Sequence, residues 1–434
     1  MTAPDRDHAP GWYAILPPPP PARRLTGDQV ADWVVVGAGV TGLAAARRLG
    51  ELLPDKRIVL IDEFRIGYGS SGRNAGFIID TPHLTEQFDG DTNRRISRLV
   101  LAGLAELEAQ VDQHDIECEW TPHGHLTAVV DKSRIGGLHA TVRMLDDLGE
   151  TWEWLEGDAL ADIIGTHHYH AAVFTPRTVT VNPAAMCRGL GQSLPENVDV
   201  FEDTRVRDIT SGAPRSVICD DGRVSAPGIL LTTNAFITRL GLLKGHVFPM
   251  IACASLSRPL NEEEDAALGG HRDWGITGTA TMRRTTSNRI LARFGTFYAG
   301  DFRLGRQRRA SLLASHRKGV ADRFPMLRNL DFEHTWAGVF CMTRDWATHF
   351  GRLEPGLFVS LGYCGVGLAR GTISGKLLAE HALGGESALM DDAVALSGPA
   401  RLPGQPFLAL GATPVSPHTA GKAGTSGRTK TGSS

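Results

Sequence analysis

The residues best spaced to do chemistry lie between Asp32 and Gly76. Gly37, Gly39 and Gly42 form a G-x-G-x-x-G pattern, with Ala38, Val40 and Thr41 between them. The apolar run Val34 to Val36 precedes the pattern as a short buried strand, and Leu43 to Leu49 comes after it as a helix. Strand, glycine turn and helix in that order build a phosphate cradle. The first glycine permits the tight turn, the second lets backbone approach a pyrophosphate, and the third lets helix and strand pack closely. The helix start adds free N–H groups and the positive end of its dipole. A second strand, Arg57 to Ile61, ends at Asp62, twenty residues past Gly42, where an acid that holds a ribose belongs. Glu63 is the competing acid and is read as the exposed start of the next loop. The context of strand, helix and acid points to a dinucleotide; a glycine-rich turn of no consequence is the plain alternative.

The loop after Asp62 separates the dinucleotides. Gly69, Ser70, Ser71, Gly72, Arg73, Asn74, Ala75 and Gly76 make it dense in backbone N–H donors. An NAD site has no need of such a loop at this point, whereas the longer FAD molecule must be covered past its pyrophosphate. A solvated Gly/Ser loop is the alternative, since loops of this composition are common. On the G-Y-G-S-S-G-R-N-A-G run, Gly67 to Gly76, the chain resembles the D-amino-acid oxidase superfamily of flavoenzymes, and most of all its gamma-glutamylputrescine oxidoreductase branch.

The resemblance covers nearly all of 30–385 and implies an α/β fold. In that fold a discontinuous, doubly wound Rossmann-like domain binds FAD, and a second, antiparallel-sheet domain takes the substrate. It implies oxidation of the C–N bond of a small-molecule amine to an imine, with oxygen or another electron acceptor completing the cycle. It also implies adenine contacts at the backbone of Val206, and cofactor contacts at Thr233, Asn234 and Gly351. The L-G-Y-C-G-V-G-L-A-R-G turn, Leu361 to Gly371, should open a helix whose N-terminus faces the flavin pyrimidine, with Gly362, Gly365, Val366 and Gly367 at the cofactor.

Departures from the relatives carry information too. Amino-acid oxidases of this superfamily grip the substrate carboxylate with an arginine just before a T-P-D segment. Here the segment reads W-A-G-V-F-C-M-T-R-D, no arginine precedes Met342, and Arg344 takes the proline position. That favours an amine without an adjacent carboxylate. A small or secondary amino acid is the rival substrate, and it would need Arg283, Arg284 or Arg293. The register of a cysteine that tethers flavin in some relatives falls on Gly338, with Cys341 out of step, so FAD is expected to be non-covalent. The register of their oxygen-activating lysine falls on Arg293, the one catalytic candidate, which keeps a positive charge but not a point charge. Val366 stands where a histidine is usual, which keeps a non-catalytic flavoprotein as a third reading.

Composition narrows the class. The net charge of −3 argues against nucleic-acid or anionic-membrane partners. Hydrophobic content of 42% is ordinary for a globular chain, and no apolar run reaches membrane-spanning length. Six scattered cysteines without a C-x-x-C pair fit free thiols in a reducing compartment, so a cytoplasmic location is expected.

Around these sites the chain should divide as 30–80, 175–245 and 336–385 for the FAD-binding domain, with 81–174 and 246–335 for the substrate domain. Residues 1–29, with the proline run Pro17 to Pro21, are expected to be an extended tether, though the resemblance implies that Trp12-Tyr13 packs on the body. Residues 391–434 are expected to be a largely disordered tail. Asp91 to His114 has helical periodicity, Cys118 to Val130 reads as strand, turn, strand, and Met144 to Ile164 as one helix. Asn182 is placed as N-cap and Pro183 at the first helical position of the next helix. His123 and His125 alternate at strand spacing; they could point together into a cavity, but are read as two surface histidines. The Arg306, Arg308, Arg309 cluster is read as a solvated helix face.

Overall fold

The computed structural model describes residues 9–82, 89–278 and 280–404. A six-stranded sheet positions the first site. Its order is His349–Glu354, Leu357–Leu361, Gly228–Leu231, Trp33–Val36, Ile58–Ile61 and Val198–Phe201, parallel except for the first pair. Side chains alternate across it. Val35, Ile58, Leu60 and Leu230 pack under the helices Val40–Leu52, Gly90–Gln113 and Leu368–Ala382. Val34, Val36, Val59, Ile61 and Leu231 face the other way, onto Val217, Val224 and Ala226 of a small four-stranded sheet. The three α-helices cover the first face, and the small sheet together with the helical turn Asn234–Leu240 covers the second. The Val40–Leu52 helix starts earlier than the apolar run suggests, because its cap is Gly39 itself.

The second sheet has eight strands, in the order Phe332–Thr343, Val247–Pro259, Arg289–Tyr298, Thr281–Arg284, Gly275–Gly278, His125–Val129, Ala171–Thr175 and Glu153–Glu156. Neighbours are antiparallel, with one parallel pair between Gly275–Gly278 and His125–Val129.

Several local expectations change. Only His125–Val129 of the segment 118–130 is a strand; Glu119 and Gly124 take positive φ and break the rest. Met144 to Ile164 is not one helix. The helix Ile135–Leu148 stops at left-handed Gly149, and Glu153–Glu156 pairs as an edge strand before the helix Gly157–Ile164. Strand pairing there overrides a helical pattern. Asn182 does cap the Pro183–Gln192 helix, accepting from the Ala184 and Ala185 N–H groups. The tail expected from 391 begins inside a helix, Ala388–Ala395, whose Asp392 is buried against Arg95 and Arg98. Its last thirty residues, 405–434, lie outside the described residues.

Within 9–29 the N-terminal segment is not a simple tether. Gly11–Ala14 is one helical turn, and Trp12 is 0% exposed. Its indole N–H donates to the Asn74 carbonyl, its ring meets Trp336 edge-on at 6.5 Å, and the Arg283 guanidinium lies 5.3 Å from its centroid. Gly27–Val30 adds a parallel strand to the small sheet. Trp12→Ala is expected to cost about 3–5 kcal/mol, the usual loss for a buried aromatic. A thermal melt should show the loss; an unchanged melting temperature would return the segment to a tether.

Candidate active site

The carboxyl ends of the parallel strands Trp33–Val36, Ile58–Ile61, Gly228–Leu231 and Leu357–Leu361 open on one cavity of about 1040 Å³, closed on its far side by the eight-stranded sheet. That is where ligands bind in open α/β sheets. Gly37 has φ +105, and a Cβ there would press on Thr232. A Cβ on Gly42 would collide with the Gly37 carbonyl, so Gly42 sets how close the helix comes. Gly39 has ordinary extended backbone, but a Cβ would stand 2.8 Å from Ser71 Oγ. The two glycine-rich loops meet there, since the Val40 N–H donates to that same oxygen at 3.1 Å.

Asp62 ties the first loop together: Oδ2 accepts from the Ala38 N–H at 2.6 Å and Oδ1 from the Phe64 N–H at 2.7 Å. Burial pushes its carboxyl up to about 6 against the pull of those two donors. Glu63 is not an exposed loop start. It lines the cavity beside Arg205 and Arg239, at 3.7 and 3.9 Å.

The second loop is braced on all sides. Ser70–Arg73 is a single helical turn. Arg73 donates to the Tyr68 and Ala337 carbonyls, and the Trp336 indole donates to the Arg73 carbonyl. Asn74 accepts from the Gly76 N–H and donates to the Ser71 carbonyl. Asn234 Nδ2 donates to Ser70 Oγ, joining this loop to the third crossover.

Of the expected cofactor residues, Gly37, Gly39, Val40, Thr41, Asp62, Glu63, Gly69, Ser70, Ser71, Arg73, Asn74 and Ala75 line the cavity. So do Val206, Thr233, Asn234, Gly365, Val366 and Gly367. Ala38, Gly42, Gly72, Gly76 and Gly362 lie behind this surface and shape the turns. Gly351 is away from it, within a strand pairing with Val359, near the His381 ring. Its place before the last crossover puts it in register but not in reach.

The arginines separate sharply. Arg283 is buried with its guanidinium given to the Val181 and Gly76 carbonyls, and desolvation lowers it to about 10. Arg284 is buried against Asp265, Asn288 and the Gly269 carbonyl. Arg344 is exposed. Arg293 alone of the three carboxylate candidates lines the cavity, where its Nη2 donates to Thr281 Oγ1 at 2.7 Å and burial lowers its pKa. The basic cluster on the helix Arg306–Arg323 is not wholly solvated either: Arg309 reaches the cavity wall, and Arg308 stacks on Phe297.

Other lining residues have no clear signature in the sequence. His125 is not a surface histidine; it is 5% exposed and lines the cavity with Thr127, Thr175, Thr277 and Thr281. Tyr363 bonds Ser360 at 2.8 Å and lies 3.4 Å from Thr41, linking the starts of two helices. The signal for His125 is its alternation with His123, which at strand spacing could aim it into a cavity.

The residues present fit a flavin dinucleotide. Thr233 Oγ1 is buried on the cavity wall with no partner among the described residues. Neither the Val40–Leu52 nor the Leu368–Ala382 helix has a side chain capping its start, and both starts lie at the cavity. The sequence profile of the family described as DAO, FAD dependent oxidoreductase, matches residues 32–381.

The chain belongs to this family. It is an FAD-dependent oxidoreductase that acts on C–N bonds of amines or amino acids, and its cofactor is FAD. A probable oxidoreductase, OrdL, of Haemophilus influenzae is 24% identical over 84% of this chain and 86% of its own. The gamma-glutamylputrescine oxidoreductase of Escherichia coli is 25% identical over 89% and 90%. The crystal structure of glycine oxidase from Geobacillus kaustophilus superposes with a TM-score of 0.73 at 19% identity, covering 87% of this chain and all of that one. Among the described residues of this DAO-family chain, no helix is long and apolar enough to cross a membrane, and no group of side chains gathers for a metal. All six cysteines are free and buried.

Proposed function

We propose that this enzyme oxidises the C–N bond of an amine, of the polyamine-derived or alkylamine type, that carries no carboxylate on the carbon oxidised. The observation behind it is the disposition of the arginines: Arg283 and Arg284 are engaged away from the cavity, Arg344 is exposed outside it, and Arg293, the one carboxylate candidate on the wall, donates to Thr281. An α-carboxylate is normally met by a planar arginine fork. Val36–Thr41 and the start of the Val40–Leu52 helix would hold the pyrophosphate, Asp62 the ribose and the backbone at Val206 the adenine. Ser70 to Ala75 would cover the ring system, with Gly365 to Gly367 and the Leu368–Ala382 helix start at its pyrimidine edge. Bound FAD supplies the two-electron acceptor, and the imine product hydrolyses in water to an aldehyde and an amine or ammonia. Arg293 then has a second effect. A fixed positive charge in a desolvated cavity lowers the pKa of an amine beside it, so the neutral, reactive form is favoured. The electron acceptor is oxygen or another small oxidant.

The test compares kcat/KM for putrescine, gamma-glutamylputrescine and simple alkylamines with glycine, sarcosine and D-alanine. The amines should lead. A lead for an amino acid would establish the second reading, a small or secondary amino-acid oxidase, which the presence of Arg293 on the cavity wall favours.

FAD is proposed to be non-covalent. Gly338, at the cavity wall, has no side chain to form a bond, and burial pushes the Cys341 thiol well above its ordinary value, away from the reactive thiolate. Acid precipitation should release all the flavin; colour left in the washed pellet would point to Cys341.

A further inference from the structure

The eight-stranded sheet presents to the cavity a row of polar groups outside those assigned above to the cofactor. Arg293 faces Thr281 across one strand pair, and Thr277 faces Thr127 across another. Between them Gly275 pairs with Arg283 and Ile276 with Met282, so the next step sets Thr277 opposite Thr281. With strands ~4.8 Å apart, the row from Arg293 to Thr127 is about 14 Å long. His125, two residues before Thr127 and on the same face, ends it, with Nε2 3.5 Å from Thr127 Oγ1.

The ring of His125 is held in one tautomer. Thr178 Oγ1 donates its single proton to Asp80 Oδ1 at 2.5 Å, so it can only accept from His125 Nδ1, 2.8 Å away. Thr175 Oγ1 lies 2.9 Å from the same nitrogen. Nδ1 therefore carries the proton, and Nε2 is left as an acceptor. Asp80 is itself 2% exposed and near Arg177, and neither Thr178 nor Asp80 reaches the cavity surface. Burial also keeps the imidazole neutral, with a pKa of about 4.

We propose that His125 determines specificity: its Nε2 accepts a hydrogen bond from an uncharged N–H, such as an amide, several bonds from the carbon that is oxidised. The proposal rests on the amine reading above. An uncharged donor is the better match because Asp62 and Glu63, the acidic residues among those lining the cavity, belong to the other sheet, while Arg293 stands on the same row. A second ammonium would be desolvated there beside a cation and without a carboxylate. Thr178 and Asp80 act through His125 as positioning residues.

The test is calorimetric titration of the holoenzyme with N-butylacetamide and with butyl acetate, which have the same shape but place N–H or O at one position. The native enzyme should prefer the amide by roughly tenfold, the scale of one buried hydrogen bond. His125→Phe should bring the ratio near one. Thr178→Val, which keeps the imidazole but frees its tautomer, should lower the ratio, and Thr178→Ser should restore it. With N-acetylputrescine as substrate, Thr178→Val should raise KM with little change in kcat. A native ratio near one, or a ratio unmoved in His125→Phe, overturns the proposal; if His125→Phe does not fold, an unmoved ratio in Thr178→Val does so. These titrations need no turnover. Failure of every amine to bleach the flavin would sink the amine reading separately.

Discussion

Gly39→Val yields a folded, colourless protein. The backbone at Gly39 is extended, with φ −78 and ψ 179, so valine fits the chain without strain. The obstacle is space: a Cβ there stands 2.8 Å from Ser71 Oγ, at the junction of the two glycine-rich loops and on the cavity surface. Ser71 can rotate away, at the cost of its bond from the Val40 N–H, but the added methyls fill the channel that a pyrophosphate must enter. The apo fold should survive, as judged by circular dichroism, with no FAD retained on purification. Gly42→Val is the contrasting case. Its side chain collides with the Gly37 carbonyl inside the protein, so folding and FAD binding should fail together. Asp62→Ala should weaken FAD binding by only about 1–3 kcal/mol, the loss of hydrogen bonds to one carboxylate. Near-normal FAD content in Gly39→Val would remove the first loop from the site.

Arg293→Met separates stability from activity. Arg293 is desolvated and its guanidinium donates to Thr281. On the helix packed behind it, His316 is held neutral with a pKa of about 4 by burial and by Arg293 itself. An arginine so placed does little for the fold, and replacing a buried charge with an apolar side chain of similar volume is often neutral or stabilising by about 1–4 kcal/mol. The melting temperature should hold or rise. Activity should fall by roughly 10²–10³, the scale for losing one preorganised charge where charge develops. Rapid mixing should locate the loss in flavin reduction or in reoxidation, and Arg293→Lys should recover part of it. If Arg293 grips a carboxylate instead, the Met variant will lose amino acids selectively and keep its amines. A lower melting temperature with unchanged rates would make Arg293 structural.

The nucleotide site is largely legible in the sequence because its determinants are local. Gly37, Gly39, Gly42 and Asp62 are set by one strand, turn, helix and strand, and their spacing alone carries the geometry. The Gly67 to Gly76 loop is equally local. The cavity face of the eight-stranded sheet is legible only at Arg293. His125 owes its tautomer and burial to Thr175, Thr178 and Asp80, which come together only when distant strands pair. That Trp12 can pack follows from the family resemblance, but nothing nearby announces that Asn74, Arg283 and Trp336 will enclose it. Arg283 and Arg284 read only as arginines that an amino-acid substrate could use, because the sequence between the two long strands does not say which way they point. Which side of the strand each guanidinium serves depends on backbone carbonyls elsewhere in the chain.

The FAD bound by this chain should take its electrons from an amine, and one anaerobic experiment decides it. The holoenzyme is mixed without oxygen with putrescine, gamma-glutamylputrescine, n-butylamine, glycine, sarcosine and D-alanine in turn, and the visible flavin absorbance is measured over time. At least one amine should bleach the flavin, faster than any amino acid does, with recovery of colour on readmitting oxygen if oxygen is the acceptor. Bleaching by an amino acid alone, or by none of the six, would contradict the claim.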